Sequence, residues 1–153
     1  MNSRAKTTVE LALRLLLGAV LFYTGFSKIK NAWEFAEILA NFDLLPPAAN
    51  QILAVTLPWS EIATGLLLVF GVWTRAAALL AAAMFAAFTL AIISALVRGL
   101  DIDCGCFGTD AAAHVGLRAL AIDLAGLVAA IAILLLHKPQ TPATHNERLS
   151  TND

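Results

Sequence analysis

The stretch Ala76-Ala-Ala-Leu-Leu-Ala-Ala-Ala-Met-Phe-Ala-Ala-Phe-Thr-Leu-Ala-Ile-Ile-Ser-Ala-Leu-Val97 decides the fold, because it contains no charged side chain. A helix needs about 20 predominantly apolar residues to cross the hydrocarbon layer of a bilayer. Three other runs approach this length, at roughly Val9–Phe26, Ile52–Trp73 and Val115–Leu136. The sequence therefore predicts an all-α membrane protein, a four-transmembrane-helix bundle within a single domain that covers residues 1–138.

The composition of the chain agrees with this class. It is 59% hydrophobic and 14% charged, and its mean hydropathy is +0.79. Soluble domains average about 45–50% apolar and 25% charged residues. The net charge of −1 provides no basic surface for nucleic acid. We therefore expect the lipid bilayer, and no nucleic acid, as the surroundings of this protein.

The segment Asn31–Leu45 between the first two runs has a helical pattern with one apolar face. Asn31 is a candidate N-cap with Glu34 three residues on, and Pro46-Pro47 is expected to stop the helix. The apolar face consists of Phe35, Ile38, Leu39 and Phe42. This pattern predicts a short helix that lies in the interface or folds over the mouth of the bundle. The polar tail, residues 139–153, is expected to be disordered.

Cys104 and Cys106, the only cysteines of the chain, lie in the loop Asp101–Gly108 between two apolar runs. A disulfide requires Cα atoms about 4.4–6.8 Å apart, so the backbone must fold back between the two residues. Gly105 can adopt the positive φ of such a turn. Strained, exposed disulfides are the labile ones, so this loop predicts a bond that is made and broken. The alternative is a pair of unbonded thiols without a role.

The distribution of basic residues predicts the orientation. Four spans place both termini on one side, with Arg4, Lys6, Arg14, Arg75, Lys138 and Arg148, against Lys28, Lys30, Arg98 and Arg118 on the other. The positive-inside rule then places the termini in the cytoplasm and the cysteine loop outside. Disulfides persist in the periplasm rather than the cytosol, which favours the same orientation.

Ionisable residues inside the predicted spans are candidates for function, because burying them in a membrane is costly. Glu61 follows Pro58, which breaks the helical hydrogen-bond ladder, and can serve either as a proton acceptor beside a redox centre or as the partner of a base. Asp123 is expected at a similar depth and needs a partner on another helix. Arg118 can stabilise a thiolate of the cysteine pair, or it can extend toward lipid headgroups.

Five short motifs resemble the DoxX/MauE group of small four-helix membrane proteins, and the cysteine loop makes the MauE branch the closer of the two. The resemblance extends over roughly Gly18–Leu136. The motifs are Gly25-Phe-Ser-Lys28, Pro58-Trp-Ser-Glu61, Gly65-Leu-Leu-Leu68, Gly71-Val-Trp-Thr-Arg75 and Cys104-Gly-Cys-Phe-Gly108.

The resemblance implies a redox-associated protein of the bacterial inner membrane. MauE proteins are thought to help a thioredoxin-like periplasmic partner form disulfides during methylamine dehydrogenase maturation, and DoxD relatives are linked to quinone. We therefore expect Cys104 and Cys106 to exchange electrons with a thiol protein, as in a thiol-disulfide oxidoreductase. Quinone is the expected electron sink, with Trp59, Glu61 and Arg118 as candidate pocket residues and Glu61 as a candidate proton relay.

Two alternatives come from other functional classes. Cys104 and Cys106, with Asp103 or His114, can bind a soft metal such as copper or zinc. Only two thiolates are available, however, and their spacing matches no closed zinc site, so no metal site is predicted. The second alternative is a non-catalytic membrane adaptor that does not use its cysteines.

Overall fold

The computed structural model describes residues 3–100 and 117–137, and the described residues form helices joined by short turns. The five helices are α1 (Ser3–Lys30), α2 (Ala32–Asn41), α3 (Pro47–Phe70), α4 (Thr74–Val97) and α5 (Leu117–Leu136). Within the described chain, α1, α3, α4 and α5 are long and apolar enough to cross a membrane. The predicted all-α bundle with four spanning helices is confirmed, and the protein is a multi-pass membrane protein.

The four spanning helices form a ring in the order α1, α3, α4, α5. Neighbours in the ring are antiparallel, and the most extensive contacts are those of α1 with α3 and of α4 with α5. The central core contains small and branched side chains from all four helices. Its buried members are Leu17, Leu21, Leu68, Ala77, Ala78, Ala81, Phe85, Ala130 and Ile133.

Glycines allow α1 and α3 to approach closely. A methyl group added to Gly18 would lie 2.8 Å from the carbonyl oxygen of Gly65, and one added to Gly65 would lie 2.7 Å from that of Gly18. Such distances are below any normal contact, so the two backbones pack directly against each other. Membrane helices commonly use small residues in this way, because close backbone packing replaces the hydrophobic effect as a source of stability.

The predicted amphipathic helix between the first two spans is present as α2 and packs against α3 and α1. Phe35, Ile38 and Phe42 are buried, as the apolar pattern predicted. Asn31 occupies the N-cap position but makes no side-chain capping hydrogen bond. α2 ends at Asn41, before the proline pair is reached. Pro46-Pro47 begins α3 instead of ending α2. Proline suits the first position of a helix, because it has no amide hydrogen that would need a partner there.

The helix bounds differ from the sequence estimates at several ends. α1 extends past the predicted 9–26 at both ends, so Lys28 belongs to its last turn. α3 begins before residue 52 and ends at Phe70 rather than Trp73, because Gly71 adopts a left-handed conformation with φ 73°. The predicted start of the last span at Val115 and the tail 139–153 lie outside the described residues.

Candidate functional site

Cys104 and Cys106 lie outside the described residues, but the chain on either side of them indicates which end of the bundle they join. Their segment runs from Leu100, just after α4, to Leu117, the first residue of α5. α1 ends and α3 begins at this same end, and α2 connects them. We call it the cysteine end, and we call the end where α1 begins the opposite end.

A buried ion pair joins the last turn of α1 to the middle of α3. Nζ of Lys28 donates a hydrogen bond to Oε1 of Glu61, and the two side chains are 0% and 2% exposed. Gly25 makes this approach possible, since a methyl group there would lie 3.1 Å from Cβ of Glu61. The pair therefore connects the motif Gly25-Phe-Ser-Lys28 of α1 with the motif Pro58-Trp-Ser-Glu61 of α3.

Two aromatic rings enclose the ammonium group of this pair. Nζ of Lys28 lies 5.2 Å from the ring centre of Phe35 and 5.0 Å from that of Phe88. Both distances are within the range of cation–π attraction. Since Phe35 belongs to α2 and Phe88 to α4, the charge on Lys28 contacts helices that its ion pair does not reach.

Asp123 provides a second buried carboxylate on α5. Its side chain is fully buried, and the hydroxyl of Thr89 on α4 donates a hydrogen bond to Oδ2. Lys28 also attracts Asp123 electrostatically. The interior of the cysteine end therefore holds one cation and two carboxylates, from three different spanning helices.

The candidate quinone-pocket residues occupy different environments. Glu61 is buried, whereas Trp59 is 62% exposed on the outer surface of α3. Arg118 is exposed at the start of α5, next to the part of the chain outside the described residues. The side chain of Trp59 therefore faces the outside of the bundle, whereas that of Glu61 faces its interior. A pocket formed by all three residues, and a contact of Arg118 with the thiols, remain predictions.

From the sequence, Glu61 could be either a proton acceptor or the partner of a base. Lys28 was not identified as that base. Lys28 was counted as a charge flanking the first span, because the apolar run ends at Phe26. Two signals could have identified it: Lys28 lies three residues after the glycine of its motif, and a buried acid requires a cation. Thr89 was also missed, since a single threonine in a span has no distinctive pattern.

The described residues offer no metal site. They contain no cluster of three or more histidine, cysteine, aspartate or glutamate side chains that could hold an ion. The ligands considered from the sequence, Cys104, Cys106, Asp103 and His114, all lie outside those residues, so the soft-metal alternative is not tested by the geometry.

Comparison with known sequences shows which family the chain belongs to. The sequence model of methylamine utilisation protein MauE matches residues 6–137. The chain belongs to the MauE family. This match includes the Lys28–Glu61 ion pair, Asp123 and the cysteine segment.

Curated MauE proteins show the same relationship. The chain is 36% identical over 97 residues to methylamine utilization protein MauE of Paracoccus denitrificans, covering 63% of this chain and 52% of the relative. It is 35% identical over 100 residues to the protein of the same name from Methylophilus methylotrophus, covering 65% and 53%. The aligned region thus spans about half the length of these relatives. No solved structure shows a significant match to this chain.

Proposed function

We propose that this MauE-family protein is a thiol-disulfide exchange protein of the bacterial inner membrane. Cys104 and Cys106 pass electrons between a periplasmic thioredoxin-like protein and membrane quinone. The client is a methylamine-oxidising enzyme whose maturation requires disulfides. The names of the curated relatives support the methylamine pathway, whereas the thiol chemistry rests on the sequence. The wider likeness to DoxX proteins remains a prediction.

The observation that carries this proposal is the position of the cysteine segment relative to the buried charges. The segment joins α4 to α5 at the end where Lys28 lies in the last turn of α1 and where Asp123 lies in the first half of α5, and Lys28 pairs with Glu61 at the middle of α3. Charged groups inside a membrane protein mark functional sites more often than packing sites. In the proposed exchange, these buried groups supply and accept the protons that the thiols lose and gain.

The proposed exchange balances in two steps. A thiolate of the partner attacks the Cys104–Cys106 disulfide, a mixed disulfide forms, and the second partner thiolate resolves it. The partner is then oxidised, and the cysteine pair has gained two electrons and two protons. Quinone restores the pair by accepting those two electrons and two protons, and it leaves as quinol.

The burial of Lys28 supports the proposed orientation of the protein in the membrane. Because Lys28 is fully buried and paired, it does not act as a loop charge. Subtracting it from the outer count increases the excess of basic residues on the side of the termini, which the positive-inside rule assigns to the cytoplasm. An impermeant thiol reagent should therefore label reduced Cys104 in intact cells. Labelling that requires permeabilisation of the inner membrane would reverse the orientation.

The decisive experiment is thiol trapping of the purified protein with and without a soluble quinone. We expect quinone to convert both free thiols to one intramolecular disulfide. We also expect Cys104→Ser or Cys106→Ser to accumulate a mixed disulfide with a thioredoxin-like protein in membranes. Full function of the double serine variant in methylamine growth would instead favour the adaptor alternative.

The role of Glu61 is tested by separating its redox effect from its structural effect. As a proton relay, Glu61→Gln should slow reoxidation of the cysteine pair in a bundle that remains folded. Breaking the buried pair with Lys28 should lower the stability in detergent whichever role Glu61 has, so only the reoxidation rate, measured where the variant is still folded, separates the two, and an unchanged rate removes Glu61 from the proton path. Arg118→Ala, compared with Arg118→Lys, tests whether a cation at the start of α5 is needed for the reactive thiolate.

A further inference from the structure

An apolar cleft lies between the neighbouring helices α1 and α5. Its volume is about 330 Å³, within the size range of small-molecule sites. Leu16 and Ala125 line it and are exposed, so the cleft opens on the lipid-facing side. Ile122 is also an exposed lining residue. The deeper lining residues are Leu13, Leu17, Val20, Phe85, Gly126 and Ala129.

A second, much smaller cavity lies behind this cleft and reaches Glu61. Val20 and Phe85 line both spaces, so these two side chains form the wall between them. The ring of Phe85 lies directly on Gly126, where an added methyl group would be 2.5 Å from a ring carbon. The cavity at Glu61 has a volume of only about 10 Å³, so a ligand in the cleft can reach Glu61 only if the Phe85 ring turns aside, and this movement is part of the proposal below.

Glu61, which lines this small cavity, has one carboxylate oxygen without a hydrogen-bond partner in the described part of the chain. Oε1 accepts from Lys28, whereas Oε2 is buried and has no hydrogen-bond partner among the described residues. A buried polar atom without a partner is costly. The matching ligand is one that reaches the site through lipid and donates a hydroxyl hydrogen.

We propose that the α1–α5 cleft binds an isoprenoid quinol, with its tail along the apolar walls and one ring hydroxyl donating to Oε2 of Glu61. The identity of the ligand rests on the proposed function, since the quinol is the reduced product of cysteine reoxidation. A lipid acyl chain would fill the apolar part equally well, but it has no donor for Glu61. In this site, Phe85 and Val20 are the residues next to the quinol ring. Trp59, which was a candidate from the sequence, lies on the outer surface of α3 and is not part of it.

The location is tested by closing the cleft from its exposed rim. Ala125→Phe should fill the entrance, while Val128→Phe places the same ring on a neighbouring, 65% exposed position that does not line the cleft. Photolabelling of the purified protein in nanodiscs with an azido-quinone should modify α1 and α5. We expect Ala125→Phe to reduce labelling at least tenfold and Val128→Phe to leave it within twofold. Labelling elsewhere, or equal labelling of the two variants, would overturn the site.

The head-group contact is tested with a short-tailed quinol and its dimethyl ether, which keeps the ring and tail but has a bulkier methoxy group in place of each donor, so that the Glu61→Gln variant is needed to separate the hydrogen bond from the added bulk. A hydrogen bond to a buried charged group contributes about 1.5–3 kcal/mol, so the quinol should bind at least about tenfold more tightly than the ether. Glu61→Gln should reduce this preference, and Val128→Phe should retain it. Equal binding of quinol and ether by the wild-type protein would show an acyl-chain cleft and overturn the proposal.

These binding experiments are independent of thiol exchange. Single-turnover exchange with a dithiol protein, measured without quinone, reports on the cysteine pair alone. Exchange without quinol binding contradicts the cleft and leaves the thiol function intact. Quinol binding without exchange contradicts the thiol function and leaves the cleft.

Discussion

The two ends of the bundle handle charge in different ways. Toward the cysteine end, Lys28 and Asp123 are fully buried, as is Glu61 at the middle of α3, and all three contact other side chains. At the opposite end, Glu10 on α1 and His137 after α5 lie 2.6 Å apart and are 16% and 22% exposed. Nε of Arg14 there donates to the backbone oxygen of Leu68 at 3.1 Å.

The exposure of the charged side chains therefore differs between the two ends. Groups at the opposite end keep partial contact with the surroundings, where water and headgroups can satisfy them. The buried groups of the cysteine end have no such access, and removing their charge would make the bundle easier to insert. In the function that we propose, these groups take part in the chemistry of the cysteine pair, and their burial makes the bundle sensitive to single substitutions at these positions.

The largest predicted effect is that of Lys28→Met. It leaves Glu61 as an uncompensated buried charge, and breaking a buried pair from one side costs about 3–5 kcal/mol. The measurement is the free energy of unfolding in mixed micelles. Lys30→Met is the matched control, because Lys30 is exposed two residues later on the same helix, and it should change stability little.

The double variant Lys28→Met/Glu61→Leu sharpens this result. Replacing both members of a buried ion pair by apolar groups is often neutral or stabilising, so most of the lost stability should return. A double variant as unstable as Lys28→Met would show that the loss comes from the packing of the lysine stem and not from the unpaired carboxylate.

The second prediction compares two buried threonines. Thr89→Val removes the hydroxyl that donates to Asp123 and should cost about 1–2 kcal/mol. Thr64→Val is the control of identical shape change, because the Thr64 hydroxyl is buried without a hydrogen-bond partner in the described part of the chain, and it should be neutral or stabilising. Thermal unfolding in detergent measures both. Equal losses would mean that the Thr89–Asp123 bond contributes nothing.

The third prediction concerns Arg98, at the cysteine end of α4. Its Nη1 donates to the carbonyl oxygen of Phe42 at 2.7 Å, and Nη2 lies 3.7 Å from Asp43. Arg98→Ala should therefore loosen α2 and cost about 1 kcal/mol. Hydrogen exchange of residues 32–41 should increase. Arg75→Ala, an exposed arginine at the other end of α4, should leave that exchange unchanged.

The helices were predictable because their signals are local. Long apolar runs fix the four spans, and the spacing of Phe35, Ile38 and Phe42 fixes α2. The end of α3 was less predictable, since a left-handed Gly71 stops the helix before an apolar run ends. Pro46-Pro47 was assigned to the wrong boundary, because a proline pair can end one helix or begin the next.

The pairing within the site was less predictable than the residues that form it. Glu61 and Asp123 were recognised from the sequence because charges in spans are rare. Their partners depend on the ring order of the helices and on the close approach at Gly25, which are properties of the packed bundle. Lys28 looked like a flanking charge because its long side chain reaches back into the bundle from the last turn of α1.

The smallest predicted effect lies at the opposite end. Glu10 and His137 join α1 to the end of α5, and both remain partly exposed. Partly exposed pairs contribute about 0–1 kcal/mol, because water competes for both groups. A double-mutant cycle with Glu10→Gln and His137→Ala, followed by unfolding in mixed micelles, should give a coupling energy below about 1 kcal/mol. A coupling as large as the loss in Lys28→Met would mean that the two ends are equivalent in energy, and the burial of charge at the cysteine end would no longer distinguish it.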